Sequence, residues 1–223
     1  MKGLSVGKFR LKILRTTFIN LLLNARIYNT VKDFNEWRRR DFAGNSPFFV
    51  KKKVLSNNCH GKYWIETGTY IGQMTRFLSK ISFQVWTIEP DLYLFENAKK
   101  ISKRYPNIRF IHGTSEKTLE KLLADVSKKT NDLNFWLDGH YSEGLTFKGD
   151  IDTPIIFELK TISDFKDTFS NITIFIDDVR CFEKNEGEYQ DYPSINYLVD
   201  WAKINKFEWK ITNDIFVMKK YKY

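Results

Sequence analysis

The spacing of apolar residues changes near residue 62 of this 223-residue chain. Before that point, apolar residues recur three or four positions apart, which predicts amphipathic helices over 5–29 and 31–40. After it, short apolar runs alternate with longer helical patterns, which predicts parallel strands joined by right-handed crossovers. The predicted strands are Tyr63–Ile65, Val85–Ile88, Ile108–Ile111, Phe135–Leu137 and Ile172–Ile176.

Helical patterns separate these runs, and a hairpin pattern follows them. The predicted helices are Gln73–Ile81, Leu92–Arg104, Ser115–Val126, Thr153–Lys166 and Ser194–Asn205. Two strand-like runs, Phe207–Thr212 and Ile215–Lys219, flank Asn213-Asp214 and predict an antiparallel hairpin. The sequence therefore predicts an α/β domain over 61–223 with a mostly parallel seven-stranded sheet, preceded by a basic helical extension over 1–60.

The net charge of +9 is concentrated in that extension: residues 1–53 hold 13 Lys/Arg against 3 Asp/Glu, and the rest of the chain holds 23 against 24. A basic amphipathic helix can pack on its own domain or contact an anionic membrane surface or an acidic partner, and these alternatives stay open. Whether the chain forms a homo-oligomer also stays open.

Other features of the sequence indicate the cellular location of the protein and the partners it can bind. No run approaches the roughly 20 apolar residues of a membrane span, and no module that reads nucleic-acid bases is present. Cys59 and Cys181 lie far apart and outside any metal-ligand spacing. We expect a cytoplasmic protein without a specific nucleic-acid partner, and with at most peripheral membrane contact through its basic N-terminus.

The stretch 64–72 is a predicted strand that breaks into a turn and then a helix. An acid ends the strand and small residues form the turn, at Glu66, Thr67, Gly68, Thr69 and Gly72. Such a turn is expected to offer free backbone N–H groups and one carboxylate to a nucleotide cofactor. Tyr70 stands where a glycine is expected. An ordinary strand-to-helix turn is the alternative.

Polar residues also end the second and third predicted strands. Glu89 follows the second strand, about 20 residues after the turn, where an acid can accept hydrogen bonds from both hydroxyls of a ribose. Gly113, Thr114 and Ser115 follow the third strand and are small and polar enough to border an adenine. These residues extend the candidate cofactor site.

Three aspartates end the fourth and fifth predicted strands: Asp138, Asp177 and Asp178. If these strands are neighbours about 4.8 Å apart, the three carboxylates converge on one point. A divalent cation would relieve their repulsion, and oxygen ligands favour Mg²⁺ or Ca²⁺. Caps for the following helices are the alternative explanation.

This pattern resembles the class I S-adenosylmethionine-dependent methyltransferases over roughly residues 62–221. More narrowly, it is similar to the metal-dependent macrocin (TylF-type) O-methyltransferases, whose sugar hydroxyl substrates sit on Mg²⁺. The 64–72 turn, Glu89 and the three aspartates carry this resemblance. In addition, Trp136–Gly144, Asp152–Ile155 and Ile176–Asp178 are similar to stretches of methyltransferase-like proteins, some of them from polysaccharide loci. The resemblance implies a Rossmann-like methyltransferase domain over 61–223.

The resemblance also implies roles for the candidate residues. S-adenosylmethionine would bind at Glu66, Thr67, Gly68, Thr69, Gly72, Glu89, Gly113, Thr114, Ser115 and Asp138, and Mg²⁺ at Asp138, Asp177 and Asp178. The acceptor would be a small molecule such as a sugar or glycan precursor. The family usually has Asp-Gly-Asp where this chain reads Asp138-Gly139-His140, so His140 would take the proton from the acceptor hydroxyl.

Two other functions stay open. Asp150-Ile151-Asp152 is formally the D-x-D of metal-dependent glycosyltransferases, although no apolar strand precedes it. Alternatively, the chain could be a non-catalytic subunit that keeps the cofactor fold and binds a partner through its basic N-terminus.

Overall fold

A computed structural model describes residues 28–139, 153–183 and 191–221. The seven strands are β1 Tyr63–Thr67, β2 Gln84–Glu89, β3 Ile108–His112, β4 Asp132–Leu137, β5 Asn171–Ile176, β6 Glu208–Thr212 and β7 Ile215–Tyr221. The helices are α1 over 28–39, α2 Phe48–Asn58, α3 Gln73–Ile81, α4 Leu92–Ile101, α5 Ser115–Val126, α6 Ile155–Phe165 and α7 Ile195–Ile204. Short 3₁₀ turns follow α6 and β5.

The strands form one sheet in the order β3-β2-β1-β4-β5-β7-β6. The first five strands pair in parallel, and β7 pairs antiparallel with both β5 and β6. The predicted fold class, a mostly parallel sheet of seven strands closed by an antiparallel hairpin, is therefore confirmed. The reversal of strand order between β1 and β4 creates the crevice in which open α/β sheets bind ligands.

Helices cover both faces of the sheet, so the central strands are buried on both sides. On one face, α5, α6 and α7 enclose a core that includes Phe135, Leu159 and Leu198. On the other face, α2 and α3 pack Leu55 and Leu78 against the strands. Strands buried on both faces are expected to be continuously apolar rather than alternating, which explains the short apolar runs in the sequence.

The predicted strands are confirmed, although several are longer than expected. β4 begins at Asp132 rather than Phe135, because Asn134 is buried inside the strand. The Asn134 side-chain amide donates to the carbonyls of His60 and Tyr63, at 2.6 and 3.1 Å. These bonds satisfy a polar side chain in the core, and they fix the chain that leads into β1.

The predicted helices are confirmed, with small differences at their ends. α4 ends at Ile101 rather than Arg104. Pro106 restricts Tyr105 to non-helical backbone, and the Tyr105 N–H donates to the Ser102 carbonyl in a turn. α6 begins at Ile155, one residue after Pro154, which takes the N-cap position.

The predicted N-terminal helix over 5–29 lies outside the described residues except at its end. α2 falls within the predicted 1–60 extension and packs Val54 and Leu55 into the core. In the described part of the chain, no helix combines the length and apolar character needed to cross a membrane.

Candidate functional site

The carboxyl ends of β1, β4 and β5 border one cleft with a volume of about 450 Å³. Its walls comprise the turn after β1, the aspartates that follow β4 and β5, and residues 45–51, which lead into and begin α2. This volume is in the range of sites for small molecules. The cleft lies at the reversal of strand order, where the topology predicts a ligand.

The turn after β1 folds back over the end of β2. The N–H groups of Gly68 and Thr69 donate to the Ile88 carbonyl at 3.1 and 3.3 Å, and the Tyr70 N–H donates to Glu89 Oε2 at 2.7 Å. The expectation of free N–H groups in this turn is therefore wrong for residues 68–70. The adjacent strand takes these donors because parallel pairing of β1 with β2 brings it beneath the turn.

Three residues of the turn, Gly68, Tyr70 and Gly72, have positive φ. Gly68 has φ of +82°, and a Cβ atom there would lie 2.3 Å from the Asp138 carbonyl oxygen. Tyr70 has φ of +50°, in the left-handed region where the sequence led us to expect a glycine. The backbone at Tyr70 therefore adopts a conformation typical of glycine, although the residue is a tyrosine.

Glu66, the next-to-last residue of β1, is a fully buried carboxyl group. Its Oε2 atom accepts hydrogen bonds from the hydroxyls of Thr75 and Thr87, both at 2.6 Å. Since Thr87 donates to Glu66, Thr69 donates to Thr87 across their 2.5 Å contact and ties the turn to this network. Oε1 of Glu66 has no hydrogen-bond partner among the described residues.

Burial raises the pKa of Glu66 to about 8, although the two hydroxyl donors oppose the shift. A carboxyl group that binds its proton more tightly when folded stabilises the fold at low pH and loses that contribution as pH rises. We expect Glu66→Gln to remove this dependence. Between about pH 4.5 and 8, the unfolding free energy of wild type relative to the variant should fall by up to about 1.4 kcal/mol per pH unit.

Urea unfolding at several pH values measures this difference. Glu116→Gln is the matched control, because Glu116 lies in the first turn of α5 and is exposed. A wild-type-minus-variant difference that is independent of pH would show that Glu66 is ionised in the folded protein.

Glu89 lies at the end of β2 and is also buried. Besides the Tyr70 N–H, it accepts the Asp91 N–H on Oε1 at 3.1 Å. Burial raises the pKa of Glu89, and these backbone donors oppose the shift. A ribose would have to share a carboxylate that already binds the turn.

The residues after β3 lie beside Glu89 rather than along the described cleft walls. The Gly113 N–H donates to the Glu89 carbonyl at 3.0 Å. Thr114 is the N-cap residue of α5, and Ser115 is its first residue. The predicted adenine-bordering role of these three residues stays a prediction.

The carboxylates of Asp138, Asp177 and Asp178 converge so that one oxygen from each lies within 4.8 Å of the others. They meet because β4 and β5 are paired neighbours, and Asp177 N–H donates to the Leu137 carbonyl at 3.1 Å. Asp177 is 2% exposed, and its Oδ1 atom has no hydrogen-bond partner among the described residues. Oxygen donors in this arrangement fit Mg²⁺ or Ca²⁺.

Lys51 of α2 approaches the same carboxylates. Its ammonium contacts Asp177 Oδ2 and lies 3.4 Å from Asp178 Oδ1. Burial lowers the pKa of Lys51, but the carboxylates of Asp177, Asp178 and Asp138 outweigh this effect and hold the pKa above its ordinary value. Burial and repulsion from Asp138 raise the pKa of Asp177, against the influence of Lys51. Lys51 therefore carries a positive charge into the acidic site.

Arg180 forms a second cationic contact at the cleft. Its guanidinium donates to Asp178 Oδ1 at 2.7 Å and also contacts Asp214, in the turn between β6 and β7. The backbone N–H groups of Val179 and Arg180 donate to Asp214 as well, at 3.0 and 2.9 Å. The C-terminal hairpin therefore braces the segment that follows β5.

Several predicted residues lie outside the described part of the chain. His140 is one of them, so its role as a base stays a prediction. The Asp150-Ile151-Asp152 motif is another.

Sequence analysis missed Lys51, because a Lys51-Lys52-Lys53 run suggests a solvated helix face. The helical spacing nevertheless indicates that Lys51 faces the core. Lys51 lies three residues after Phe48 and four before Leu55, so a helix places it on the apolar stripe that faces the core. A lysine on a buried stripe requires an acidic partner.

The sequence matches no protein-family model and none of the curated proteins. Solved structures are similar in fold. One, assigned as a caffeoyl-CoA O-methyltransferase from Staphylococcus aureus, is 13% identical, with 90% of this chain and 97% of that chain covered and a TM-score of 0.52. Another, assigned as an rRNA methylase from Clostridium thermocellum, is 11% identical, with 79% and 97% covered and a TM-score of 0.53. The chain therefore has the fold of these methyltransferase structures.

Proposed function

We propose that this protein is an S-adenosylmethionine-dependent O-methyltransferase that methylates a hydroxyl group of a sugar or another small molecule with the help of a divalent cation. The observation that carries the proposal is the meeting of two acidic sites at one edge of the sheet. Glu66 precedes the turn after β1 and Glu89 accepts an N–H group from it, while the turn itself and the cluster of Asp138, Asp177 and Asp178 line the same cleft.

The cofactor half of the site fits a methyl donor that carries a ribose and an amino group. Gly68 lets the turn pass directly against the Asp138 carbonyl, because a Cβ atom there would lie 2.3 Å from that oxygen, so the turn and the end of β4 border the cofactor site together. Oε1 of Glu66 has no partner among the described residues and would accept from the positively charged amino group of the donor, which favours the ionised carboxylate, and Glu89 offers further lone pairs. Bound S-adenosylmethionine would supply an electrophilic methyl group, and these residues would hold it against the carboxyl ends of β1 and β2.

The metal half of the site fits one divalent ion by charge. When all four are ionised, Asp138, Asp177, Asp178 and Asp214 would carry four negative charges against the two positive charges of Lys51 and Arg180, and a bound cation would favour the ionised form of Asp177, whose pKa burial raises. One divalent ion would neutralise the remainder. A bound ion would lower the pKa of a coordinated hydroxyl and orient it.

The residues of the protein would position the acceptor relative to the methyl donor. The three aspartates directly follow the paired strands β4 and β5, so an acceptor held there would be fixed relative to the turn after β1. Methyl transfer needs the nucleophilic oxygen in line with the methyl carbon, and such positioning supplies much of the rate. The polar cleft walls, which include Ser46, Lys51 and Arg180, support a hydroxyl-rich acceptor. His140 is the proposed base.

Calorimetric titration with S-adenosylmethionine and, separately, with a nucleotide sugar and Mn²⁺ tests this proposal. We expect S-adenosylmethionine to bind and the nucleotide sugar not to bind. Glu89→Ala should weaken cofactor binding by about tenfold or more, because a buried charged acceptor is lost. Glu96→Ala is the control, because Glu96 is exposed on α4.

The other outcomes identify the alternative functions. Binding of the nucleotide sugar alone would favour the glycosyltransferase. Binding of neither ligand would favour the non-catalytic subunit.

A further inference from the structure

We propose that Lys51 is a built-in counter-cation of the acid cluster, and that a divalent ion must displace its ammonium from Asp177 and Asp178 in order to bind. The inference rests on the proposed function only in taking the cluster as a cation site. It assigns to α2 a part in setting how tightly that site holds its ion.

The position of the ammonium supports this role. Lys51 Nζ lies against two of the three carboxylates that converge, in contact with Asp177 Oδ2 and 3.4 Å from Asp178 Oδ1. An ion that drew on the same carboxylates would come within about 4 Å of the ammonium, where like charges repel by several kcal/mol even at an effective dielectric constant of about 20. The two cations therefore compete for one place.

The carboxylates of the cluster need a positive charge nearby even when no metal ion is bound. Asp177 is 2% exposed and Asp178 is 8% exposed, so neither carboxylate is fully solvated. A buried charge left without a partner is strongly destabilising. Arg180 already partners Asp178, so Lys51 supplies the partner for Asp177, and the unpartnered Oδ1 of Asp177 shows that Lys51 leaves part of the donor set unused.

The rest of α2 does not need to move when the ammonium leaves. Val54 and Leu55, one turn further along the helix, are buried in the core and hold its position. Lysine has a flexible four-carbon stem, so rotation of its side chain is enough to clear the site. Ser46 and Phe48 line the same wall of the cleft, so this rotation changes the surface that an acceptor meets.

Manganese binding to the metal-free protein tests the proposal, with the free ion followed by electron paramagnetic resonance. We expect Lys51→Met and Lys51→Gln each to bind Mn²⁺ at least about tenfold more tightly than wild type, because a repelling charge is removed. Lys51→Arg, which keeps the charge, should bind as weakly as wild type. Lys53→Met removes the same charge from an exposed position on α2 and should change nothing.

Thermal unfolding gives a second readout. Without metal, Lys51→Met should melt at a lower temperature than wild type, and Mn²⁺ should raise its melting temperature by more. If Lys51→Met does not fold without metal, Lys51→Gln keeps a hydrogen-bond donor and carries the measurement.

The outcomes separate this inference from the proposed function. If wild type binds Mn²⁺ and Lys51→Met and Lys51→Gln bind it no more tightly, the role of Lys51 is overturned and the proposed metal site is not. Binding by the variants but not by wild type would support Lys51 as the occupant of the site and remove the metal from the proposed function. Binding by none of the proteins would overturn both.

Discussion

Replacing Asp177 with asparagine is expected to reduce methyl transfer by at least about a thousandfold, because a cation that activates the acceptor is worth several kcal/mol of transition-state stabilisation. Asp177 is buried, and its two oxygens serve different purposes: one contacts Lys51 and the other has no partner among the described residues. The affinity for S-adenosylmethionine should change little, because the turn after β1 and Glu89 do not bond to Asp177. Transfer of a radiolabelled methyl group and calorimetry measure the two effects separately.

EDTA should inactivate the wild-type protein to a similar degree, and Mg²⁺ should restore it. Asp125→Asn is the matched control, since Asp125 is an exposed residue of α5 whose carboxylate forms a surface ion pair with Lys128. Full activity of wild type in EDTA would eliminate the metal from the mechanism. A loss of cofactor binding in Asp177→Asn would show that the two halves of the site are not separable.

Replacing Gly68 with alanine is expected to destabilise the protein by roughly 3 kcal/mol or more and to abolish cofactor binding. The new Cβ atom would lie 2.3 Å from the Asp138 carbonyl oxygen and 2.8 Å from its carbon, at a φ of +82° that alanine rarely adopts. The clash involves backbone on both sides, so no side chain can rotate to relieve it. Urea unfolding and calorimetry with S-adenosylmethionine measure the two consequences.

Gly44→Ala separates steric overlap from backbone strain. Gly44 has a similar φ of +71°, but the nearest atom to a Cβ there is the end of the Arg40 side chain, at 3.5 Å. Gly44→Ala should lower the unfolding free energy by only about 1 kcal/mol. Equal losses of unfolding free energy in the two variants would show that steric overlap with the Asp138 carbonyl does not contribute at Gly68.

The parallel sheet was predictable from the sequence because its strands are buried on both faces. A buried strand such as β5, Asn171–Ile176, must be apolar almost throughout, and the polar residues Asp177 and Asp178 then mark its end. The convergence of these aspartates with Asp138 required only that β4 and β5 be neighbours, which right-handed crossovers favour.

Lys51 could not be placed in the same way, because its partners lie 126 and 127 residues away. Local spacing shows that Lys51 faces inward but does not show which strand end it meets. The turn after β1 illustrates a second limit. Its N–H groups bond to Ile88 and Glu89, and the pattern 64–72 carries no information about how closely the next strand approaches.

The position of β7 inside the sheet has a consequence for biosynthesis. β7 is the last of the seven strands to leave the ribosome, yet it lies between β5 and β6 and completes the core with Phe216, Val217 and Met218. The turn that brings Asp214 to Arg180 directly precedes it. Although chains begin to fold from the N-terminus during synthesis, we expect the cleft to take its final shape only after this late segment has emerged.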